Sequence, residues 1–261
     1  MTGMATVAAI VSALDLPSRA RVDARVPKKM LVEQGAPTTA DKRAIQDGID
    51  EMQWLAVLKP NTIAIPAFTD QTRDYSEIAV IAAAFRPEAR AARLTELIHR
   101  AIPYPVLLIT TGTGGVAISV APKRAAQNEG EKVVVERVVV AGGIDPDALH
   151  AAERAFLDSF ALERQPARDL STVYDGWLAR IEALAAARLS GIFEVKDETG
   201  VIDRRRRALE EHARLAREAT QLRAQAARAK QIGQRVDLNQ KIKAIEIAID
   251  RNKKLMLGGS A

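Results

Sequence analysis

A chain of 261 residues, 48% hydrophobic, without cysteine and with a formal net charge of +5, can bury one sizeable core and excludes disulfides, thiolate chemistry and Cys-ligated metal. A cysteine-free composition fits a reducing, cytoplasmic setting. The charge is segregated: residues 203–254 hold fifteen Lys/Arg against seven Asp/Glu, a balance of +8, and the remaining 23 basic and 26 acidic residues leave the rest near −3. A basic extension on a near-neutral body suits contact with a partner better than it suits a reaction.

In chain order, the apolar run Val7, Ala8, Ala9, Ile10, Val11 and Leu14 has no basic residue before it, is interrupted by Asp15, and falls short of the roughly 20 residues that span a bilayer. It predicts a short packed helix or strand, with no membrane or targeting role. Pro17, Pro27, Gly35 and Pro37, set between charged residues, make residues 1–38 an extended N-terminal segment. Thr38 or Thr39 then caps a helix in which Ile45, Ile49, Met52 and Ala56 recur at helical spacing until Pro60. Residues 62–67 and 77–85 read as buried strands. Pro87 opens a helix through Leu94, Leu97, Ile98 and Ile102, closed by Pro103 and Pro105, and residues 106–110, 116–120 and 132–141 are β-branched runs separated by tight turns.

The expected fold is α/β (α+β): a globular domain over residues 39–200 with a mixed five-stranded sheet covered by helices. The short connections after residue 110 favour antiparallel pairing, and the helix between the second and third strands permits a parallel crossover. Pro146 begins a helix with Leu149, Ala152 and Phe156, and residues 171–189 form another, with Leu178, Ile181, Leu184 and Ala185 on one side. A long helical, coiled-coil-like arm over residues 201–257 and a flexible tail at 258–261 complete the chain.

The arm has no proline, a single glycine (Gly233) and many good helix formers. Leu215, Leu222, Ala229 and Val236 recur every seven residues with Ala219 and Ala226 between them; past Val236 the apolar positions shift phase to Leu238, Ile242, Ile245 and Ile249. The shift implies either a stutter in one helix of about 78 Å or a bend into a helical hairpin. Such a seam needs a partner helix, and Leu215, Leu222, Ile242, Ile245 and Ile249 are the expected pairing residues. Arg204, Arg205, Arg206, Arg207, Arg214, Arg228 and Lys230 are the candidates for nucleic-acid or acidic-partner contact, against the plainer alternative of a solvated face. The arm has no aromatic residue, so base stacking is not its mode, and no zinc-finger, basic-zipper or RNA-recognition motif supports sequence-specific reading.

No convergent catalytic set stands out. The turn Thr110-Thr111-Gly112-Thr113-Gly114-Gly115 leads into another strand and lacks the Lys-Ser/Thr pair of a phosphate loop, so it reads as a hairpin turn. The strand sequence Ile78 to Phe85 carries neither the acid nor the lysine of a restriction-type nuclease; Asp70, Asp74 and Glu77 just before it read as a solvated loop and are the acids that such an activity, if present, would use with a metal. His99, His150 and His212 lie far apart, and His150 with Glu153 lacks a third ligand, so no metal and no cofactor is expected. The serines lack an assignable His/Asp partner, and Trp54 and Trp177 read as core anchors.

Several stretches together resemble the bacterial domain of unknown function 4391 family: Leu16-Pro17 with Val26-Pro27-Lys28-Lys29; residues 49–62 with Trp54, Leu58, Pro60 and Asn61; Ala101 to Leu108 around Pro103-Tyr104-Pro105; residues 170–177 with Arg180-Ile181 and Leu184; and, in the arm, Lys230-Gln231 with Val236-Asp237-Leu238-Asn239. The family has no established catalytic residues. Its members sit beside helicases and DNA methyltransferases, so the resemblance implies an accessory role in a restriction or anti-phage defence system, with a helicase or methyltransferase subunit as partner. The expectation is therefore a non-enzymatic adaptor that docks its partner through the arm and contacts DNA through basic residues. Two alternatives stand beside it: a degenerate, metal-dependent nuclease-like enzyme, and a plain coiled-coil scaffold that forms homo-oligomers.

Overall fold

The computed structural model describes residues 2–126 and 133–256, with side chains from residue 7 onward; the expected tail at 258–261 lies outside the described residues. The chain divides into two compact units, residues 1–181 and 182–261.

The first unit opens with helix α1 (Thr2–Ala13), then strand β1 (Arg21–Arg25), helix α2 (Lys28–Gly35) and helix α3 (Thr39–Gly48). Residues 2–35 thus hold two helices and a strand where the prolines suggested an extended connection. Pro17 and Pro27 only punctuate: Pro27 sits at the N-cap of α2, where its missing N–H costs nothing. Thr38 caps α3 by accepting from the Asp41 N–H at 3.1 Å.

The expected long helix ends at Gly48, and strand β2 (Ile49–Leu58) takes over. Two register shifts in β2, at Ile49/Glu51 and Trp54/Ala56, break its period-2 alternation, so a bulged strand presents the apolar spacing of a helix. Residues 62–63, the start of the expected strand, instead belong to a single turn, α4 (Pro60–Ile63). Pro60 starts it, and Thr62 Oγ1 accepts from the Lys59 N–H at 2.8 Å and donates to the Val57 carbonyl at 3.0 Å. A two-stranded ribbon, β3 (Phe68–Thr69) with β4 (Asp74–Tyr75), precedes β5 (Ile78–Phe85).

Helix α5 (Ala91–Ala101) crosses over to β6 (Val106–Gly112), which turns into β7 (Gly115–Val120). The glycine-rich stretch is this hairpin: Gly112 pairs with Gly115, which adopts φ +83°, the left-handed region open to glycine. The expected strand over 132–141 is divided. Val133–Val135 is β9 and pairs with β8 (Lys123–Ala125) as a separate ribbon, whereas β10 (Val139–Ile144) joins β7; Lys132 lies outside the described residues. Helix α6 (Ala151–Asp158) begins five residues after Pro146, and α7 (Leu170–Ser190) starts in the first unit and ends in the second.

Six strands, one more than expected, form the main sheet in the order β1-β2-β5-β6-β7-β10. Strands β1 and β2 are the additions, and the expected strand at 62–67 is not part of the sheet. The β5–β6 pair is parallel, as the α5 crossover requires, and every other pair is antiparallel. Ile81 and Ala83 of β5, Leu108 of β6 and Leu94, Leu97 and Ile98 of α5 bury together with Leu31 of α2 and Ile45 of α3. Gly35 permits this closeness, since a Cβ there would meet the Ala101 Cβ at 2.5 Å.

Three buried polar side chains make hydrogen bonds within this unit, two of them to backbone groups. The Tyr174 hydroxyl accepts from the Ala121 N–H at 2.7 Å and donates to the Val106 carbonyl at 2.8 Å. Lys123, 4% exposed, donates from Nζ to the Ile102 and Tyr104 carbonyls and so caps the C-terminus of α5; burial pushes its pKa down to about 7. His99 Nε2 meets Ser119 Oγ at 3.0 Å, and burial, reinforced by the Lys123 charge, holds the imidazole down to about 3.

In the second unit, helices α8 (Thr199–Arg228) and α9 (Ile232–Met256) run antiparallel, and of the two forms the seam allowed this is the hairpin. The chain reverses at residues 229–231, with Ala229 in extended conformation at the α8 C-cap, so the phase shift marks a change of helix. Leu215 and Ala219 pack on Ile245, flanked by Leu222, Ala248 and Ile249, and Ala208 packs on Met256 and Ala186.

Two outcomes follow from the buried polar groups. Tyr174→Phe leaves the Ala121 N–H buried without an acceptor, so urea unfolding should show a loss of about 1–3 kcal/mol. An unfolded histidine protonates near 6.5 and His99 only near 3, so its stabilising contribution is full above 6.5 and drains away as pH falls toward 3. Unfolding midpoints at pH 7 and pH 4 should therefore differ more in the wild type than in His99→Gln; equal differences would contradict a buried neutral imidazole.

Candidate nucleic-acid interface

The hairpin buries its apolar seam within itself, and this sorts the basic residues. Arg205 is 4% exposed, donates from Nη2 to the Glu194 carbonyl at 2.8 Å, and has its pKa lowered by burial. Arg206 is half-buried and tied to Glu182 at 3.0 Å and Asp203 at 3.4 Å. These two candidates are engaged within the second unit, Arg205 by the loop at Glu194 and Arg206 by Glu182 of α7 and Asp203 of α8, whereas Arg204 and Arg207 are exposed. Arg214 is exposed but held between Glu211, at 2.7 Å and 2.8 Å, and Glu218, at 3.0 Å.

Arg204, Arg207, Arg228 and Lys230 are exposed and have no ion pair among the described residues. Arg217, Arg235, Lys241, Lys243, Arg251 and Lys254 are likewise exposed. Helical periodicity would have singled out Arg217, which at 100° per residue falls on the same side of α8 as Arg207, Arg214 and Arg228, away from the buried Ala208, Leu215 and Ala219, whereas Arg204 falls beside that buried stripe. Arg204 and Arg228 stand about 36 Å apart along the axis at 1.5 Å per residue. Glu210 and Glu218 share this side, and Arg223 is paired with Glu246 at 2.7 Å.

The pairing residues Leu215, Leu222, Ile245 and Ile249 meet one another across the hairpin, and Ile242 is buried beside them on α9. Val236, a seam position in the heptad pattern, is exposed because it follows the reversal.

The acids considered for metal chemistry are engaged locally. Asp70 Oδ1 accepts from the Thr72 and Arg73 N–H groups, each at 2.7 Å, and from Thr72 Oγ1 at 2.9 Å, which lowers its pKa. Asp74 accepts from Thr69 Oγ1 and the Ser76 N–H, and Glu77 is bridged to Lys59. Among the described residues no group of three or more His, Asp or Glu could hold a metal ion. Asp70 and Asp74 line an open cleft of about 330 Å³ with Arg73, Arg124, Tyr104 and Lys123, whose ammonium is committed to the α5 carbonyls.

One pair escaped the sequence: Ser119 and His99, twenty residues apart, have the geometry of a nucleophile and its base. Both are buried and the His99 Nδ1 has no hydrogen-bond partner, so the pair lacks both access and an orienting acid. His150 and Glu153 cap α6, with Glu153 Oε2 accepting from the His150 N–H at 3.1 Å. Trp177 is buried and donates to the Phe160 carbonyl at 3.0 Å, and Trp54 packs partly buried against the sheet core. No helix among the described residues is long and apolar enough to cross a membrane.

No curated protein and no solved structure matches the chain. A family model described as domain of unknown function (DUF4391) matches residues 14–249, which takes in the six-stranded sheet and most of the hairpin. The chain belongs to the DUF4391 family.

Proposed function

We propose that this protein is an accessory subunit that holds nucleic acid through the outer side of its C-terminal helical hairpin, in a DNA-directed defence or restriction system where a helicase or methyltransferase partner supplies the chemistry. The observation that carries the reading is the exposed set Arg204, Arg207, Arg217, Arg228 and Lys230, none ion-paired among the described residues, on a segment with a +8 balance. Guanidinium and ammonium groups in that state neutralise phosphates and release counterions, and the roughly 32 Å along the axis from Arg207 to Arg228 is close to one turn of duplex DNA. Without aromatic residues in α8 and α9 the contact is to the backbone and independent of sequence.

The seam is closed within the hairpin, so the partner is not expected to join as a third helix along Leu215 and Ile245. The family's association with helicases and methyltransferases supports the partner class.

Charge reversal at the turn tests the reading while sparing the packing. Arg228→Glu with Lys230→Glu should weaken binding to a 20-base-pair duplex at least tenfold by fluorescence anisotropy and lower the slope of log affinity against log salt by about 2. Affinity that ignores both the substitutions and the salt would remove the hairpin from the interface.

A further inference from the structure

The hairpin carries a small pocket of about 310 Å³ lined by Arg204, Arg207, Ala208 and Glu211 of α8 and by Asn252 and Leu255 of α9. Its polar groups are unevenly satisfied. Arg204 and Arg207, one turn apart, have no ion pair among the described residues. The Glu211 carboxylate is already held at both oxygens by Arg214, at 2.7 Å and 2.8 Å, which lowers its pKa and leaves little of its charge to oppose an anion. Asn252 is only 7% exposed, yet its Oδ1 is buried with no hydrogen-bond partner. Buried amides are ordinarily paired, so an unpaired acceptor on a residue that lines a pocket marks a place where a donor group of a ligand completes the set.

We infer that Arg204, Arg207 and Asn252 form a phosphomonoester pocket, which on the nucleic-acid reading above seats the phosphorylated end of a strand. Two guanidinium groups carry two positive charges. A terminal phosphomonoester carries nearly two negative charges at neutral pH, whereas an internal phosphodiester carries one. The guanidinium forks donate to the phosphate oxygens, and the open Asn252 Oδ1, an acceptor, takes a hydrogen bond from the attached nucleoside, such as from a base amino group, since the sugar of a 5′-phosphorylated DNA end has no free hydroxyl. Ala208 and Leu255 supply an apolar wall for the carbon skeleton of the sugar. A recess takes a terminus more readily than it takes the middle of a stiff duplex, while the exposed Arg217, Arg228 and Lys230 lie outside it to follow the backbone.

The test compares duplexes that differ only in carrying a 5′-phosphate or a 5′-hydroxyl, titrated into the full chain by anisotropy, with adenosine monophosphate titrated separately by calorimetry. The phosphorylated duplex should bind at least fivefold tighter, and Arg207→Gln or Asn252→Leu should abolish that margin. Asn252→Leu should also melt at or above the wild-type temperature, because it removes a buried unpaired amide; a lower melting temperature with the margin intact would make Asn252 merely structural and overturn the inference. Duplexes that bind equally with either end would overturn the pocket and leave the backbone interface standing. Adenosine monophosphate binding that is lost in both variants, with no duplex binding, would uphold the phosphomonoester chemistry and remove the nucleic-acid reading. Failure of both ligands to distinguish the variants from the wild type would overturn the pocket outright.

Discussion

Everything proposed for the C-terminal unit depends on one packing event, the burial of Leu215 and Ala219 of α8 against Ile245 of α9. Neither helix has an apolar side broad enough to be stable alone in water, and each supplies what the other lacks. Once that stripe is fixed, the outward side of α8 follows from the helical period. Arg205 is held at the Glu194 carbonyl, Arg207 turns outward, and Arg204 lies at the border of the buried stripe, where Asn252 comes to rest beside it across the hairpin. The same pairing converts an unsatisfied seam into a closed one, which shifts the expected contact chemistry from apolar to electrostatic.

Ion pairing within the unit refines the picture of a uniformly basic arm. Arg206, Arg214 and Arg223 spend their charge on Glu182, Glu211, Glu218 and Glu246. Exposed pairs of this kind contribute little stability, but they remove cations from the set open to an external anion. What stays open is a sparse series along α8 and the turn. A sparse series suits contacts with successive phosphates better than it suits a dense acidic peptide, whose side chains would have to compete with Glu210 and Glu218 on the same side.

The class of fold, the α5 crossover, the glycine-rich hairpin and the basic helical segment were legible in the residues, because each rests on a local signal: proline brackets around α5, a Gly-Gly turn, helix-forming composition. The losses have specific causes. Bulges in β2 gave it the spacing of a helix, and Thr62 folded a hydrophobic run into a turn by capping it. Strand β1 was hidden among prolines and charges because an edge strand exposed along its length carries no apolar alternation. In the site, the outward side shared by Arg207, Arg217 and Arg228 was within reach of helical periodicity, but the burial of Arg205 and the exposure of Arg204 were not. Nor were the Asn252 amide and the Ser119–His99 pair, since both depend on long-range packing that no spacing in the chain encodes.

The account stands most directly on which arginines meet nucleic acid. Covalent modification of arginine by phenylglyoxal, read by mass spectrometry on the full chain with and without a 5′-phosphorylated duplex, separates the cases. Protection concentrated at Arg204, Arg207, Arg217 and Arg228, with Arg205 inert in both states, is the predicted pattern; protection confined to arginines of residues 1–181, or none anywhere, would contradict it.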